Sequence, residues 1–286
     1  MSRVIDFHTH TFPDKIAPRA IASLSSKSHT RAFTDGTLKS LKDSMKAAGI
    51  GYSVILPVAT KPEQVEKIND SAIEINSREK NIISFGAIHP DYENFSHELE
   101  RISRSGIKGI KIHPVYQGVN INDERFTRIL TQSGKLGLIV SIHAGWDIGF
   151  PGAGCSLPVK ILDALKKSGP VRVILAHMGG WRCWDEVCDL FAGHENIFID
   201  TAFSLGAFSP VKDDNYYKTR EECEMLGSQE FTRIIKAFGA DRVLFGTDSP
   251  WSSQVECVRE VASLPSINSS ERELIFHGNA ERLLAV

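Results

Sequence analysis

A closed (β/α)8 barrel of the TIM type is the fold class this sequence predicts, and three observations predict it. Eight short, nearly all-apolar runs punctuate the 286 residues, segments of helical period separate them, and titratable residues gather at the C-terminal ends of the runs. The runs are Arg3 to His8, Tyr52 to Pro57, Ile82 to Ile88, Ile107 to Ile112, Leu138 to His143, Val171 to His177, Asn196 to Thr201 and Arg242 to Thr247. Near-continuous apolar character suits strands covered on both faces, as in a parallel sheet, rather than the alternation of a solvated antiparallel one. Strand then helix, eight times over, fits a closed barrel better than an open doubly wound sheet, although the two share local signals. A chain of this length with 42% hydrophobic residues can bury one large core, so a single domain over residues 1–286 is expected.

Taken in order, the first run continues as Val4-Ile5-Asp6-Phe7-His8-Thr9-His10. Side chains two apart on a strand share a face, so His8 and His10 can present two imidazoles to one metal ion. Leu38, Leu41, Met45 and Ala48 then give a helix one buried stripe, and Gly49 reads as its stop. Val65, Ile68, Ala72 and Ile75 do the same between Gln64 and Arg78. After the third run, Ile88-His89-Pro90 reads as a surface turn. Lys111 and His113 end the fourth run, His143 the fifth and His177 the sixth, and Asp248 follows the eighth. In a (β/α)8 barrel those ends converge on one mouth, where residues distant in sequence become neighbours. Buried there, such groups face desolvation without evident partners. A metal supplies the reason for them. Imidazoles plus a carboxylate form a nitrogen and oxygen site suited to Zn2+, with Mn2+, Fe2+ or Co2+ as alternatives. Such an ion brings the pKa of bound water toward neutrality, and Asp248 is the natural carboxylate to move protons.

Composition excludes several other classes. A net charge of -2 gives neither a basic footprint for nucleic acid nor a polybasic membrane patch. No apolar window approaches the length of a membrane span and the N-terminus lacks a secretory pattern, so a cytoplasmic protein is expected. The five cysteines, Cys155, Cys183, Cys188, Cys223 and Cys257, form no C-x-x-C pair and are expected to be reduced, with Cys183 a buried thiol rather than a nucleophile. Phosphate loops and the G-x-S-x-G elbow are absent; Gly149-Phe150-Pro151-Gly152-Ala153-Gly154 has the wrong spacing for a dinucleotide fingerprint and reads as a flexible loop.

An ordered set of motifs spans nearly the whole chain: Asp6-Phe7-His8-Thr9-His10, Gly109-Ile110-Lys111-Ile112-His113-Pro114, Ile142-His143-Ala144-Gly145, Leu175-Ala176-His177-Met178-Gly179-Gly180, Leu244-Phe245-Gly246-Thr247-Asp248-Ser249-Pro250-Trp251, and Gly278-Asn279-Ala280-Glu281-Arg282-Leu283-Leu284. The set resembles the amidohydrolase superfamily, in particular its amidohydrolase-related branch of metal-dependent hydrolases and nonoxidative decarboxylases. The resemblance implies that His8, His10, His143 and Asp248 bind one catalytic metal and that His177 lies beside the substrate. In two-metal members, His143 and His177 instead hold a second ion bridged by a carboxylated lysine, which would be Lys111 here. The favoured alternative makes Lys111 a cation that pairs with a substrate carboxylate or with Asp248. His113 is open between substrate contact and support of another residue.

Substrate choice is expected in the loops after the strands. Thr11 to Gly36 carries Phe12, Arg19, Arg31 and Phe33; Gly145 to Pro158 carries Trp146, Asp147 and Phe150; Ala202 to Ser228 carries Phe203, Phe208, Tyr216, Tyr217 and Arg220. Trp181-Arg182-Cys183-Trp184 is read as the start of the sixth helix, with Trp181 a wall and Arg182 a contact for an anionic substrate. His29, His97, His194 and His277 take solvated or capping roles. The expected reaction is metal-assisted hydrolysis of a small amide, ester or lactone, carboxylated where Lys111 pairs with it, with Asp248 as general base and His177 stabilising the oxyanion. The alternative is nonoxidative decarboxylation of a small aromatic or enoic acid by the same residues. A homodimer is a family-level expectation only.

Overall fold

The computed structural model describes residues 4–211 and 218–286; Arg3, Tyr216 and Tyr217 lie outside the described residues. Nine strands occur among them: β1 (Val4–Thr9), β2 (Ile50–Ile55), β3 (Ile82–Ser84), β4 (Gly86–Ala87), β5 (Gly109–Ile112), β6 (Ile139–Ile142), β7 (Val173–Leu175), β8 (Ile197–Asp200) and β9 (Val243–Leu244). Every expected run holds a strand. The third run is broken in two at Phe85 by side chains of the helix Val65–Arg78. Asn76 Oδ1 accepts from Ser84 N at 2.6 Å, and its Nδ2 donates to Ser84 O at 3.0 Å. Asn69 repeats the pattern on Ala87, accepting at 2.8 Å and donating at 3.2 Å. Two amides thus stand in for neighbouring strand backbone. Asn69 also donates to Glu98 Oε1 at 2.7 Å, and that buried carboxylate is held in turn by Arg101.

The chain groups into two compact units: residues 1–53, 148–151 and 201–286 in one, residues 54–147 and 152–200 in the other. In the first unit, β1 runs beside the segment around β9. Phe7 N donates to Phe245 O at 2.7 Å, Asp248 N to His8 O at 2.8 Å and His10 N to Ser249 O at 2.7 Å. The helix Leu38–Ala48 buries Leu41 and Met45 and stops at Gly49, whose φ of 69° is the left-handed geometry that glycine takes without strain. Two segments expected to be plain loops are more ordered. Residues 17–28 form the helix Ala17–Ser28, with proline at its start. The stretch after β8 holds bridges from Leu205 to Leu226 and from Ala207 to Glu224, and the helix Arg220–Cys223, capped by Thr219. Aromatic Phe203 stacks on Phe208 with centroids 5.5 Å apart.

In the second unit, β4 to β8 form a parallel sheet in sequence order. Its register pairs Ile112 with Ile142, Ile142 with Leu175, and Leu175 with Ile199. Ladder ends are therefore level, and His113 and His143 leave the sheet side by side. Ile110, Ile112, Val140, Ile142, Val173, Ile174, Leu175 and Ile199 are fully buried, as strands covered on both faces require. The helices Phe95–Arg104 and Glu124–Lys135 turn Leu99, Ile102, Phe126, Ile129 and Leu130 inward. Among the described residues no helix is long and apolar enough to cross a membrane.

Asn69→Ala strips a buried backbone N–H and C=O of their partner. It should cost about 2–3 kcal/mol of unfolding free energy, measured by urea denaturation.

Candidate metal centre

Three sequence-predicted ligands meet in the first unit. His8 Nε2 lies 3.2 Å and His10 Nε2 3.0 Å from Asp248 Oδ1, and the two ring nitrogens are 3.2 Å apart. Protons alone serve this triangle poorly, because an N–H on each Nε2 sets two donors against each other across the 3.2 Å edge between the rings, while a ring without that proton turns its lone pair toward the carboxylate oxygen. A cation satisfies all three lone pairs together. Ligands about 2.0–2.1 Å from a tetrahedral Zn2+ stand about 3.3–3.4 Å from one another, close to the edges seen here. The donor set therefore fits a divalent metal ion. The His8 side chain is 1% exposed while His10 and Asp248 are 17% and 11% exposed, so the triangle is sealed on one side and reachable on the other.

Local backbone explains the convergence. His8 lies in β1 and His10 follows one residue past its end, and Asp248 adopts a φ of 65°, a left-handed conformation that is uncommon without glycine. Behind them Asp6 is fully buried and accepts four hydrogen bonds: from His8 N at 3.2 Å and Thr247 N at 3.0 Å on Oδ1, and from Thr247 Oγ1 at 2.6 Å and Gln254 Nε2 at 2.7 Å on Oδ2. Burial pushes the Asp6 carboxyl up to about 6, against the pull of those donors. Sequence reading passed Asp6 by, although its place two residues before His8 on an apolar strand was a signal.

The second unit gathers another group. His113 and His143 lie under Asp147, whose Oδ2 is 3.6 Å from the Nε2 of each ring. The rings are stacked, with centroids 3.9 Å apart and planes inclined by 13°. Imidazole lone pairs lie in the ring plane, so two nearly parallel planes cannot aim both at one nearby ion. At 3.6 Å the carboxylate attracts the rings without a formed hydrogen bond. His143 Nε2 meets Trp146 O at 3.2 Å, and its Nδ1 meets His177 Nε2 at 3.1 Å. A carbonyl only accepts, so the His143 proton sits on Nε2, and His177 donates to Nδ1. Burial, with His113, His177 and Lys111 nearby, holds the His143 pKa well below the usual imidazole value.

His177 also occupies a left-handed conformation, φ 61°, and its backbone N–H donates to the buried Asp200 carboxylate at 3.0 Å. Lys111 is buried, with Nζ 3.5 Å from Ser141 Oγ on the neighbouring strand. Arg182 is exposed and lies over the Trp181 ring at 5.1 Å. These two residues precede the sixth helix rather than start it, for that helix is Trp184–Phe191. His89 is not a surface residue but 4% exposed, its Nδ1 accepting from Asp91 N at 3.1 Å. The Pro90 turn folds it inward. His113 Nδ1 caps the helix Pro114–Gln117 by accepting from Tyr116 N at 3.4 Å. Burial raises the Cys183 thiol to about 11, which suits a structural residue rather than a nucleophile.

The sequence profile of the family described as Amidohydrolase matches residues 5–286. No curated protein matches the chain. Among solved structures it is similar to a TIM-barrel protein from Bordetella bronchiseptica, at 19% identity over 99% of this chain and 98% of that one, with a TM-score of 0.73. A dihydroxybenzoic acid decarboxylase from Polaromonas, with bound manganese and an inhibitor, is similar at 16% identity over 100% of this chain and 97% of that one, TM-score 0.67. A protein from Pseudomonas putida described as a candidate 2-pyrone-4,6-dicarboxylic acid hydrolase is similar at 17% identity over 100% of this chain and 98% of that one, TM-score 0.66. At such identities the likeness establishes the fold, a (β/α)8 TIM barrel.

The buried His143 ring fixes a pH dependence for the metal-free protein. Its folded pKa lies below its unfolded value, so between the two the unfolded chain takes up a proton that the native ring refuses, and this contribution to stability is lost as pH falls. Asp6, raised to about 6, acts in the opposite sense. The difference between wild type and His143→Gln isolates the first effect. Urea unfolding in chelator between about pH 7.5 and pH 5.5 should show a shallower loss of stability in the variant.

Proposed function

The chain belongs to the amidohydrolase family, and from that membership we propose that it is a metal-dependent enzyme that hydrolyses a small amide, ester or lactone. The observation that carries the proposal is the triangle of His8, His10 and Asp248, with edges of 3.0–3.2 Å. His143 is proposed as the fourth protein ligand, as the family resemblance implies. The nitrogen-rich donors suit Zn2+, and the manganese in the Polaromonas relative makes Mn2+ the first alternative. When bound, the ion supplies Lewis acidity and makes water acidic enough to react near neutral pH.

The residues then divide the work. Asp248, whose Oδ1 meets both imidazoles, is the carboxylate that takes the proton of the attacking water and delivers it to the leaving group. His177, with its proton on Nε2, is a donor suited to the oxyanion that develops on the substrate carbonyl. Lys111 and His113 hold a substrate carboxylate, and Arg182 offers a second cation to an anionic substrate.

A second reading is favoured by a specific observation: several solved relatives of the same fold are described as decarboxylases. In that reaction Asp248 or His177 would give its proton to the carbon that loses CO2, and no water would be consumed. One experiment separates the readings. Purified protein should carry about one equivalent of divalent metal, which His8→Ala and Asp248→Ala lose. Turnover of a panel of small carboxylated amides and lactones in oxygen-18 water should label the acid product without releasing CO2. Release of CO2 without label overturns hydrolysis in favour of decarboxylation, and a metal-free, inactive wild type overturns both.

A further inference from the structure

The left-handed conformation of Asp248, uncommon outside glycine, persists only where its surroundings hold it. Its neighbours on both sides are tied to a single group. Thr247 donates to Asp6 through its backbone N at 3.0 Å and its hydroxyl at 2.6 Å, and Ser249 N donates at 3.1 Å to that same Thr247 hydroxyl. On the opposite strand His8 N reaches Asp6 at 3.2 Å, while His8 O accepts from Asp248 N at 2.8 Å. Gln254 closes the set at 2.7 Å. Asp6 is thus the common acceptor for the strand that carries two ligand atoms and the turn that carries the third.

We propose that Asp6 is a positioning residue of the metal centre: its buried carboxylate clamps the backbone at His8 and at residues 247 to 249, so that two ring nitrogens and Asp248 Oδ1 stay aimed at one ion. The inference rests on the metal-binding reading given above. Fixing ligands from behind in this way sets affinity, because a metal accepts only small departures from its ligand distances, and loss of an outer partner costs 10–100-fold.

The position needs acceptors more than charge. In Asp6→Asn, Oδ1 still serves both backbone N–H groups, and Nδ2 can donate to Gln254 Oε1, which has no hydrogen-bond partner among the described residues, once the Gln254 amide turns over. The Thr247 hydroxyl can turn to accept. Asp6→Ala removes every acceptor. A role confined to folding would not distinguish the two variants once both are folded; a role in aiming the ligands would.

The test is a titration of dialysed full-length protein with Zn2+ in competition with a chromogenic chelator, alongside unfolding midpoints of the metal-free forms. Asp6→Asn should bind within about threefold of wild type, and folded Asp6→Ala should bind about 10–100-fold more weakly. Cobalt-loaded Asp6→Ala should show shifted visible bands, which report ligand geometry directly. Wild-type affinity and spectrum in folded Asp6→Ala overturn the proposal, and so does an equal loss in Asp6→Asn. Should Asp6→Ala fail to fold, Thr247→Val removes the hydroxyl that joins Asp6 to Ser249 N and keeps the backbone links; its binding should weaken about 3–10-fold, and unchanged binding overturns the proposal. A wild type that takes up no metal at all instead overturns the underlying functional reading, and this inference with it.

Discussion

Two imidazole nitrogens and one carboxylate oxygen stand within 3.2 Å of one another, and that crowding is the constraint on which the chemistry depends. All three atoms offer lone pairs, and protons can occupy only some of the edges between them. A divalent cation turns the same arrangement from frustrated to favourable. Burial sharpens the contrast, since the His8 side chain has almost no water to turn to. The first unit therefore looks built for an ion: its strand spacing sets two nitrogens on one face, and a strained turn supplies the oxygen.

The two units use the same local device. Asp248 and His177 are both non-glycine residues with positive φ, at 65° and 61°, and each is secured by a buried aspartate. Asp6 holds the residues flanking Asp248, and Asp200 accepts the backbone N–H of His177. In both cases the side chain that does chemistry is displayed by a costly turn, and a carboxylate with no chemistry of its own keeps that turn from relaxing. Strain at the two turns is offset by charge-assisted hydrogen bonds behind them.

Much of this was legible in the sequence. Every apolar run contains a strand because β-rich, doubly covered segments have no other use for such composition. His8, His10 and Asp248 were readable as one group because strand ends in this fold converge. What escaped depended on partners far along the chain. The break at Phe85 comes from Asn69 and Asn76, whose amides imitate strand backbone, and no apolar count can reveal that substitution. Asp6 looked like a lone polar residue in a strand because its donors lie at Thr247 and Gln254, more than 240 residues away. His89 was misplaced at the surface because Pro90 signals a turn without saying which way the preceding ring faces.

Proton placement in the second unit bears on the division of labour between its histidines. The Trp146 carbonyl fixes the His143 proton on Nε2, so the single lone pair of that ring is on Nδ1, where His177 now donates. One lone pair serves one partner. A role for His177 toward a substrate therefore requires its Nε2 proton to leave His143 Nδ1 for a new acceptor. The stacked His113 ring cannot take up that donor in plane, because it lies nearly parallel to His143 at 3.9 Å. The released N–H suits an oxygen that gains negative charge, which is the part the proposed hydrolysis assigns to it.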